Sequence, residues 1–347
     1  MKTSIMKLAG LVTILLVLQA CTTGLRISVL QPADINMPTH IEKLAIVHRH
    51  KPSQENMLTS VLDGILSGGV GLLTDKEAGK NCLNGLKDAL LKTPRYTITE
   101  PSGLDLRGTG TAVFASPLSW EQIEKICMEN QADALIVLEV FDTKSTLSFN
   151  TETRQVKNSD GTTRDVIEQV ANLRMMVTAG WRIYDYKNKR IVDEYRGDSF
   201  LDFGGRGTTQ QLAIAALING RDAVNRTAFN AGSVYGYRIA PQWVWVDRVY
   251  YTKGSEGLKT AGRKARTQDW AGARDLWLKL ANSPKKKVAK RSTHNLAIAY
   301  EVFGQLEEAL QWSQKSYTVY NNKNSLRHSQ QLKSRIRANE RLKIQME

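Results

Sequence analysis

Ala134-Leu135-Ile136-Val137-Leu138-Glu139-Val140-Phe141 is the strongest strand signal in the chain, and the rest of the fold can be read outward from it. Just upstream, Ser119–Asn130 opens with Ser119 and carries Gln122 three residues later. That is a capping-box pattern, and Ile123 and Ile126 fall on one face of the helix it starts. Tyr96–Thr99, before Pro101, is strand-like. Lys76–Leu91 places Leu83, Leu86, Ala89 and Leu90 at helical spacing. Ile41–Val47, after Pro38, reads as a first buried strand. Downstream, Asn150–Thr163 is polar, with 158–162 (Asn-Ser-Asp-Gly-Thr) as a turn signal between two long strand-like runs. The second run is Val166–Tyr186; Lys187-Asn188-Lys189 then turns the chain into Arg190–Phe200. Thr208–Ala231 reads as one long Ala-rich helix. Alternating β-α-β-α-β units, then a β-meander, then a helix, predict an α+β domain over 41–235. Its mixed sheet is covered by helices, with a hairpin extending to one side.

Pro241–Tyr251 is an aromatic connector within 236–253, after which the period is helical throughout 254–347. Leu296, Ala297, Tyr300, Gly304, Leu306, Ala309 and Ser316 occupy the positions of a tetratricopeptide repeat, which they resemble. One unit earlier, Ala261, Asp269-Trp270, Ala273, Trp277 and Pro284 fall on equivalent places, and a basic insertion at Lys285–Lys287 lengthens the period. The resemblance implies an all-α domain of tetratricopeptide-like helical hairpins. Two hairpins are fewer than the three repeats that bury a free-standing solenoid, so they are expected to dock on the connector and the α/β domain. The basic tail from Ser325 is expected to be a solvated capping helix.

Met1–Cys21 has a positive start (Lys2, Lys7), an apolar stretch Leu8–Leu18 and then Leu18-Gln19-Ala20-Cys21. The apolar run is too short to span a bilayer, which needs about twenty residues, and suits a signal peptide. Leu at −3, Ala at −1 and Cys at +1 resemble the lipobox of bacterial lipoproteins, although Gln19 departs from the usual small residue. The resemblance implies cleavage after residue 20 and acylation of Cys21, with 21–40 as a tether. Several acyl chains on one residue make such attachment effectively permanent. Thr22 stands where Asp would retain an enterobacterial lipoprotein at the inner membrane, and no acidic run follows. By that analogy the protein is anchored at the outer membrane and faces the periplasm.

The formal net charge of the 347 residues is +14, and removal of Lys2 and Lys7 leaves +12. Such an excess attracts anionic lipid, glycan or nucleic acid; export makes nucleic acid an improbable partner. Cys82 and Cys127 remain after Cys21, too few for a disulfide framework. Two buried thiols are expected, with a single bridge as the lesser reading.

The runs IEKLAIV, ADALIVLEV and WRIYDYKNKRIVDEY resemble the periplasmic α/β domain of the curli secretion channel lipoprotein and of the N-terminal domain of TolB, over roughly Ile41–Ala231. That class is structural or partner-binding, so the resemblance implies no catalytic residues. Taken whole, the lipobox, the segment from Ile27 to His50 and the C-terminal repeats are similar to an uncharacterised outer-membrane lipoprotein family of Bacteroidota.

Catalytic templates fit poorly. Gly79-Lys80-Asn81 lacks the upstream glycine of a phosphate-binding loop, where Thr74 stands, and lacks the hydroxyl after the lysine. Gly108-x-Gly110 lacks a third glycine. Gly197-Asp198-Ser199-Phe200 resembles the nucleophile block of one lipase/esterase class, but sits late, in a meander, with the candidate bases His294 and His328 inside the repeats. His48 and His50 alternate on a strand end beside Arg49 and Lys51, with no further ligand to complete a zinc site. Met57–Leu73, apolar and Gly-rich, reads as a helix and loop packed on the sheet, or else as an adaptable contact loop. The leading expectation is a non-enzymatic periplasmic lipoprotein, without cofactor or metal, whose helical repeats meet a protein partner. An envelope hydrolase using Ser199 or an unrecognised site, and a protein binding anionic glycan or lipid, are the alternatives.

Overall fold

The computed structural model describes residues 22–49, 72–104, 106 and 113–346. Two compact units result: Ala33–Gln242, and the N-terminal residues up to Pro32 joined to Trp243–Ile344. Strand β1 (Thr22–Gln31) belongs to the second.

The α/β unit runs β2 (Lys43–His48), α1 (Leu72–Leu91), β3 (Thr97–Thr99), α2 (Trp120–Glu129), β4 (Ala134–Lys157), β5 (Thr163–Asp185), β6 (Arg190–Gly207), α3 (Gln210–Ala215) and α4 (Gly220–Ile239). Its five strands lie in the order β3-β2-β4-β5-β6. β2 pairs in parallel with β3 and β4, and the β4–β5 and β5–β6 pairs are antiparallel. This is the expected mixed sheet covered by helices.

Alternation along the strands sends successive side chains to opposite faces, and both faces of β2 and the start of β4 are buried. Leu44, Ile46, Ala134, Ile136 and Leu138 join a core with Leu83 and Leu86 of α1 and Ala228 and Tyr235 of α4. Ala45, Val47, Leu135 and Val137 pack with Ile123 and Ile126 of α2. Two-sided burial explains why ALIVLEVF is apolar at nearly every position. It also settles the cysteines: Cys82 belongs to the first core and Cys127 to the second, on opposite faces of the sheet, and both are free. Burial pushes both thiols up, that of Cys127 to about 12.

The helices are fixed by local chemistry. The Ser119 hydroxyl accepts from the Gln122 amide and the Gln122 side chain accepts from the Ser119 amide, each at 3.3 Å, so the capping box closes. Tyr235 of α4 stacks on Trp181 at 4.8 Å and 3°, while its hydroxyl donates to Asp193. Arg238, one turn on, grips the same carboxylate with two nitrogens.

The turn lies where the sequence signals it, at 158–162, closed by Asn158 N to Thr162 O at 2.7 Å, and the polar residues 150–157 continue β4 up to it. Among the described residues no core lies above this distal hairpin, so polarity is compatible with strand; cross-strand pairs such as Arg154–Glu168 and Asn150–Asn172 hold it instead. The expected single helix over 208–231 is two, because the Asn219 side chain accepts from the Asp222 amide and starts α4 afresh.

In the second unit β1 pairs with β7 (Gln242–Tyr251) as a two-stranded ribbon. The stretch 21–40, expected as a tether, therefore contains a strand. Helices α5 (Glu256–Arg266), α6 (Trp270–Ala281), α7 (Lys286–Val302), α8 (Leu306–Tyr320) and α9 (Lys323–Met346) follow. Consecutive helices α5 to α8 pack against each other. Ala261, Ala273, Ala297 and Ala309 are fully buried, as close crossings of small residues require.

Helices α1 and α4 also approach closely. A Cβ on Gly232 would strike the Cys82 carbonyl oxygen, and one on Gly85 would strike the Phe229 carbonyl. Gly232→Ala is therefore expected to destabilise the α/β unit by about 1–3 kcal/mol through overpacking. Urea unfolding followed by Trp fluorescence measures this; unchanged stability would contradict the close approach.

Candidate functional site on the β1–β7 ribbon

The aromatic run of β7 divides between two faces. Arg248 and Tyr250 turn in towards the helices and are buried; Trp243, Trp245, Asp247 and Val249 turn out. Trp243 and Trp245 are 56% and 67% exposed, unusual for the largest apolar side chain. On the outer side Arg26 of β1 pairs with Asp247 at 3.1 Å, in full solvent.

The inward face is bonded closely to the helices. Tyr250 meets Trp270 and Trp277 edge-on at 5.7 and 6.0 Å. Asn295 of α7 donates to the Tyr251 carbonyl and accepts from its amide, both at 2.7 Å, as a partner strand would. The His294 ring bonds the Val249 carbonyl and the Ser325 hydroxyl. Asn322 and Asn324 bracket the Tyr251 hydroxyl.

Under Arg248 lies Glu301, whose side chain has no solvent exposure. It accepts from Arg248 Nε and Nη2 at 2.7 and 2.8 Å, from His328 Nε2 at 2.8 Å and from Arg335 Nη1 at 2.8 Å. Burial alone would raise this carboxyl, but the bonds from His328 and Arg248 outweigh it and hold it well below the usual carboxylate range. The faces of α7 and α9 that carry His294, Asn295, Glu301, His328 and Arg335 are thus occupied by the chain's own β7.

The α/β unit holds a second buried polar knot. Glu139, the extra residue where register shifts between Leu138 and Val140, is fully buried. It accepts from Tyr184 at 2.7 Å and Arg182 at 3.1 Å, with Arg49 at 3.7 Å. Arg182 also binds Glu194 at 2.6 Å and the Ala115 carbonyl, and lies over Phe114. Burial and the bond to Glu139 push the Tyr184 hydroxyl up to about 12. Every charge named here has its partner, so the cluster locks the sheet and leaves no free acid or base. The lone acidic residue in ALIVLEVF was its signal in sequence.

The other candidates are dispersed. Cys21, His50, Gly108, Gly110 and most of Met57–Leu73 lie outside the described residues. Gly79-Lys80-Asn81 is interior to α1, where the Asn81 amide bonds the Glu77 carbonyl. His48 ends β2, in register with Leu138. Ser199 is buried on β6, and the neighbouring Asp198 accepts from Thr178. His294 spends both ring nitrogens on the bonds given above, and His328 meets Glu301 through Nε2 and the Ser313 hydroxyl, at 3.5 Å, through Nδ1. Among the described residues no group of three His, Cys, Asp or Glu side chains could hold a metal ion, and no helix is long and apolar enough to cross a membrane.

Comparison with known proteins gives a family for this architecture. Residues 41–251, more than half of the chain, match the domain of unknown function DUF8603, and the chain belongs to that family. Residues 259–339 match a second domain of unknown function, DUF6340. No curated protein matches the chain. Among solved structures it is similar to the PelC dodecamer from Paraburkholderia phytofirmans, at 10% identity and a TM-score of 0.22, over 62% of this chain and 99% of that one. A second PelC dodecamer structure, of a variant from the same organism, gives 12% identity and a TM-score of 0.20, over 61% and 96%.

Two outcomes follow from the geometry of the helical unit. Glu301→Gln leaves the buried Arg248 and the half-buried Arg335 without a counter-charge, and is expected to cost about 3–5 kcal/mol in chemical denaturation. Burial, helped by His328, lowers the His294 ring to about 3. The unfolded ring titrates near 6.5, so below that the unfolded chain takes the proton and stability falls as pH drops towards 3. Between pH 7 and 5 the loss should approach about 1.4 kcal/mol per unit below 6.5, and His294→Gln should flatten it. An unchanged slope in the variant would show that the ring does not carry the effect.

Proposed function

We propose that the chain is a lipoprotein acylated at Cys21, held at the outer membrane and facing the periplasm, which acts by binding a protein partner and performs no catalysis. The carrying observation is the outward face of β7, where Trp243 and Trp245 stand exposed in a ribbon whose first strand begins at Thr22, next to the lipobox cysteine. Exposed aromatic area on a rigid strand is a usual anchor for protein recognition.

The partner surface assigned by sequence to the tetratricopeptide-like groove moves in this reading to the ribbon. The ribbon's inner face fills the helices, so its outer face is what remains for recognition. The resemblance of the α/β unit to curli-channel and TolB domains supports a role in envelope assembly, secretion or transport. Against the hydrolase alternative stands the placement of Ser199, with Asp198 bonded to Thr178 and both candidate histidines engaged.

Crosslinking in intact envelopes, followed by affinity purification from detergent, tests this reading with wild type and Trp243→Ala/Trp245→Ala. A specific partner should be recovered with wild type and lost with the double variant, whose stability should change by no more than about 0.5 kcal/mol per exposed site. Recovery of the same partner by both would overturn the assignment to the ribbon. Mass spectrometry of the native N-terminus should find acylated Cys21; an unmodified thiol there would remove the membrane tether.

A further inference from the structure

A cleft of about 330 Å³ in the helical unit is lined by Thr252, Lys253, Lys259, Arg263 and Arg266. Three of its cations come from one stripe of α5, at positions i, i+4 and i+7, and the fourth, Lys253, from the connection just after β7. Leu258, Ala261, Gly262 and Ala265 bury the adjoining face of the helix, and a Cβ on Gly262 would strike the Thr252 side chain. The helix is thereby held against the strand end, and the basic side chains share one opening. Arg291 adds charge behind them by donating to the Lys253 carbonyl, with its guanidinium over the Tyr251 ring.

Compensation is incomplete. Among the described residues the carboxylate beside these groups is Glu256, which meets both Lys259 at 3.3 Å and Arg263 at 3.4 Å. Arg266 bonds the Tyr250 hydroxyl, a neutral group. Four cations with one carboxylate beside them among the described residues favour an anion small enough for the cleft and rich in acceptor oxygens, which describes a phosphate.

Position identifies the source. Thr252, in the cleft wall, bonds the Thr23 hydroxyl at 3.4 Å. Thr23 is two residues from Cys21, and two extended residues span at most about 7 Å. A chain anchored through Cys21 therefore carries this cleft at the level of the lipid headgroups. We propose that the cleft binds the phosphate of an anionic phospholipid headgroup, fixing the ribbon's orientation at the membrane; this rests on the tether reading above.

The test uses the mature chain, residues 21–347, with Cys21→Ser so that no acyl group contributes. It is sedimented with vesicles of phosphatidylcholine containing phosphatidylglycerol, and with pure phosphatidylcholine. Binding is expected only to the anionic vesicles, weakening with salt. Each cation near a lipid surface contributes about fivefold in affinity, so Lys253→Glu/Lys259→Glu should weaken binding by more than about tenfold. Lys286→Glu/Lys287→Glu, the same charge change at the start of α7, should have a much smaller effect, with both variants melting as the parent does. Equal losses in the two variants would overturn the proposal in favour of diffuse charge. Protection by inorganic phosphate without vesicle binding would reassign the cleft to a soluble phosphate, and no binding to either would remove the site. The vesicle result does not depend on acylation, so a native chain found unacylated would refute the tether while leaving this measurement to stand.

Discussion

The helical unit depends on a carboxylate that has no contact with water. Glu301 on α7 gathers Arg248 from β7 and His328 and Arg335 from α9, tying a strand and two helices through one group. Taking such charges from water is costly, and the attraction between them offsets the cost only when every remaining donor and acceptor is satisfied. The neighbouring bonds approach that condition: Asn295 holds both backbone groups of Tyr251 and His294 the carbonyl of Val249, while Arg335 Nε is the buried donor of the knot left without a partner among the described residues. Two helical hairpins lack the area to bury their faces alone. With β7 bonded into them and Tyr250 placed among Trp270 and Trp277, the missing neighbour is supplied from the same chain.

The α/β unit meets the same difficulty in another way. Its sheet is buried on both faces, so a polar group inside must find partners within a thin layer. The bulge at Glu139 turns that side chain from the alternation of β4 towards Arg182 and Tyr184. Gly180, across from Val140, leaves room there, since a Cβ would meet the Val140 side chain at 2.7 Å. Apolar packing supplies the layer, and one buried ion cluster fixes where the long hairpin leaves it.

Much of this was legible in sequence because the signals were local. The continuous apolar runs of β2 and the start of β4, the Ser119/Gln122 box and the small residues at helix crossings each depend on neighbours within a few positions. What was not legible depends on distant partners. Polarity at 150–157 carries no strand signal of its own, and the extent of β4 follows only from the opposite strand pairing with it residue by residue. Asn219 looks like one more residue of an Ala-rich helix, although its side chain ends one helix and caps the next. Thr22–Gln31 reads as a tether because the strand it joins lies more than two hundred positions away. Arg248 and Glu301 are 53 residues apart, and neither is remarkable alone.

The two-sidedness of β7 then constrains any functional reading. A strand that donates one face to an internal core can recognise a partner only through the other face or through its edges. On the outer face the exposed tryptophans stand on backbone fixed by the Glu301 knot, so their positions need not be ordered anew on binding. Less ordering on association leaves more of the contact energy as affinity. The same rigidity joins β7 to β1, which starts at Thr22, so under the proposed acylation of Cys21 a rigid platform would follow the anchor directly in place of a long slack tether. Loosening the buried carboxylate would therefore act at a distance: the tryptophans would keep their exposure but lose the fixed geometry that makes an exposed aromatic pair selective.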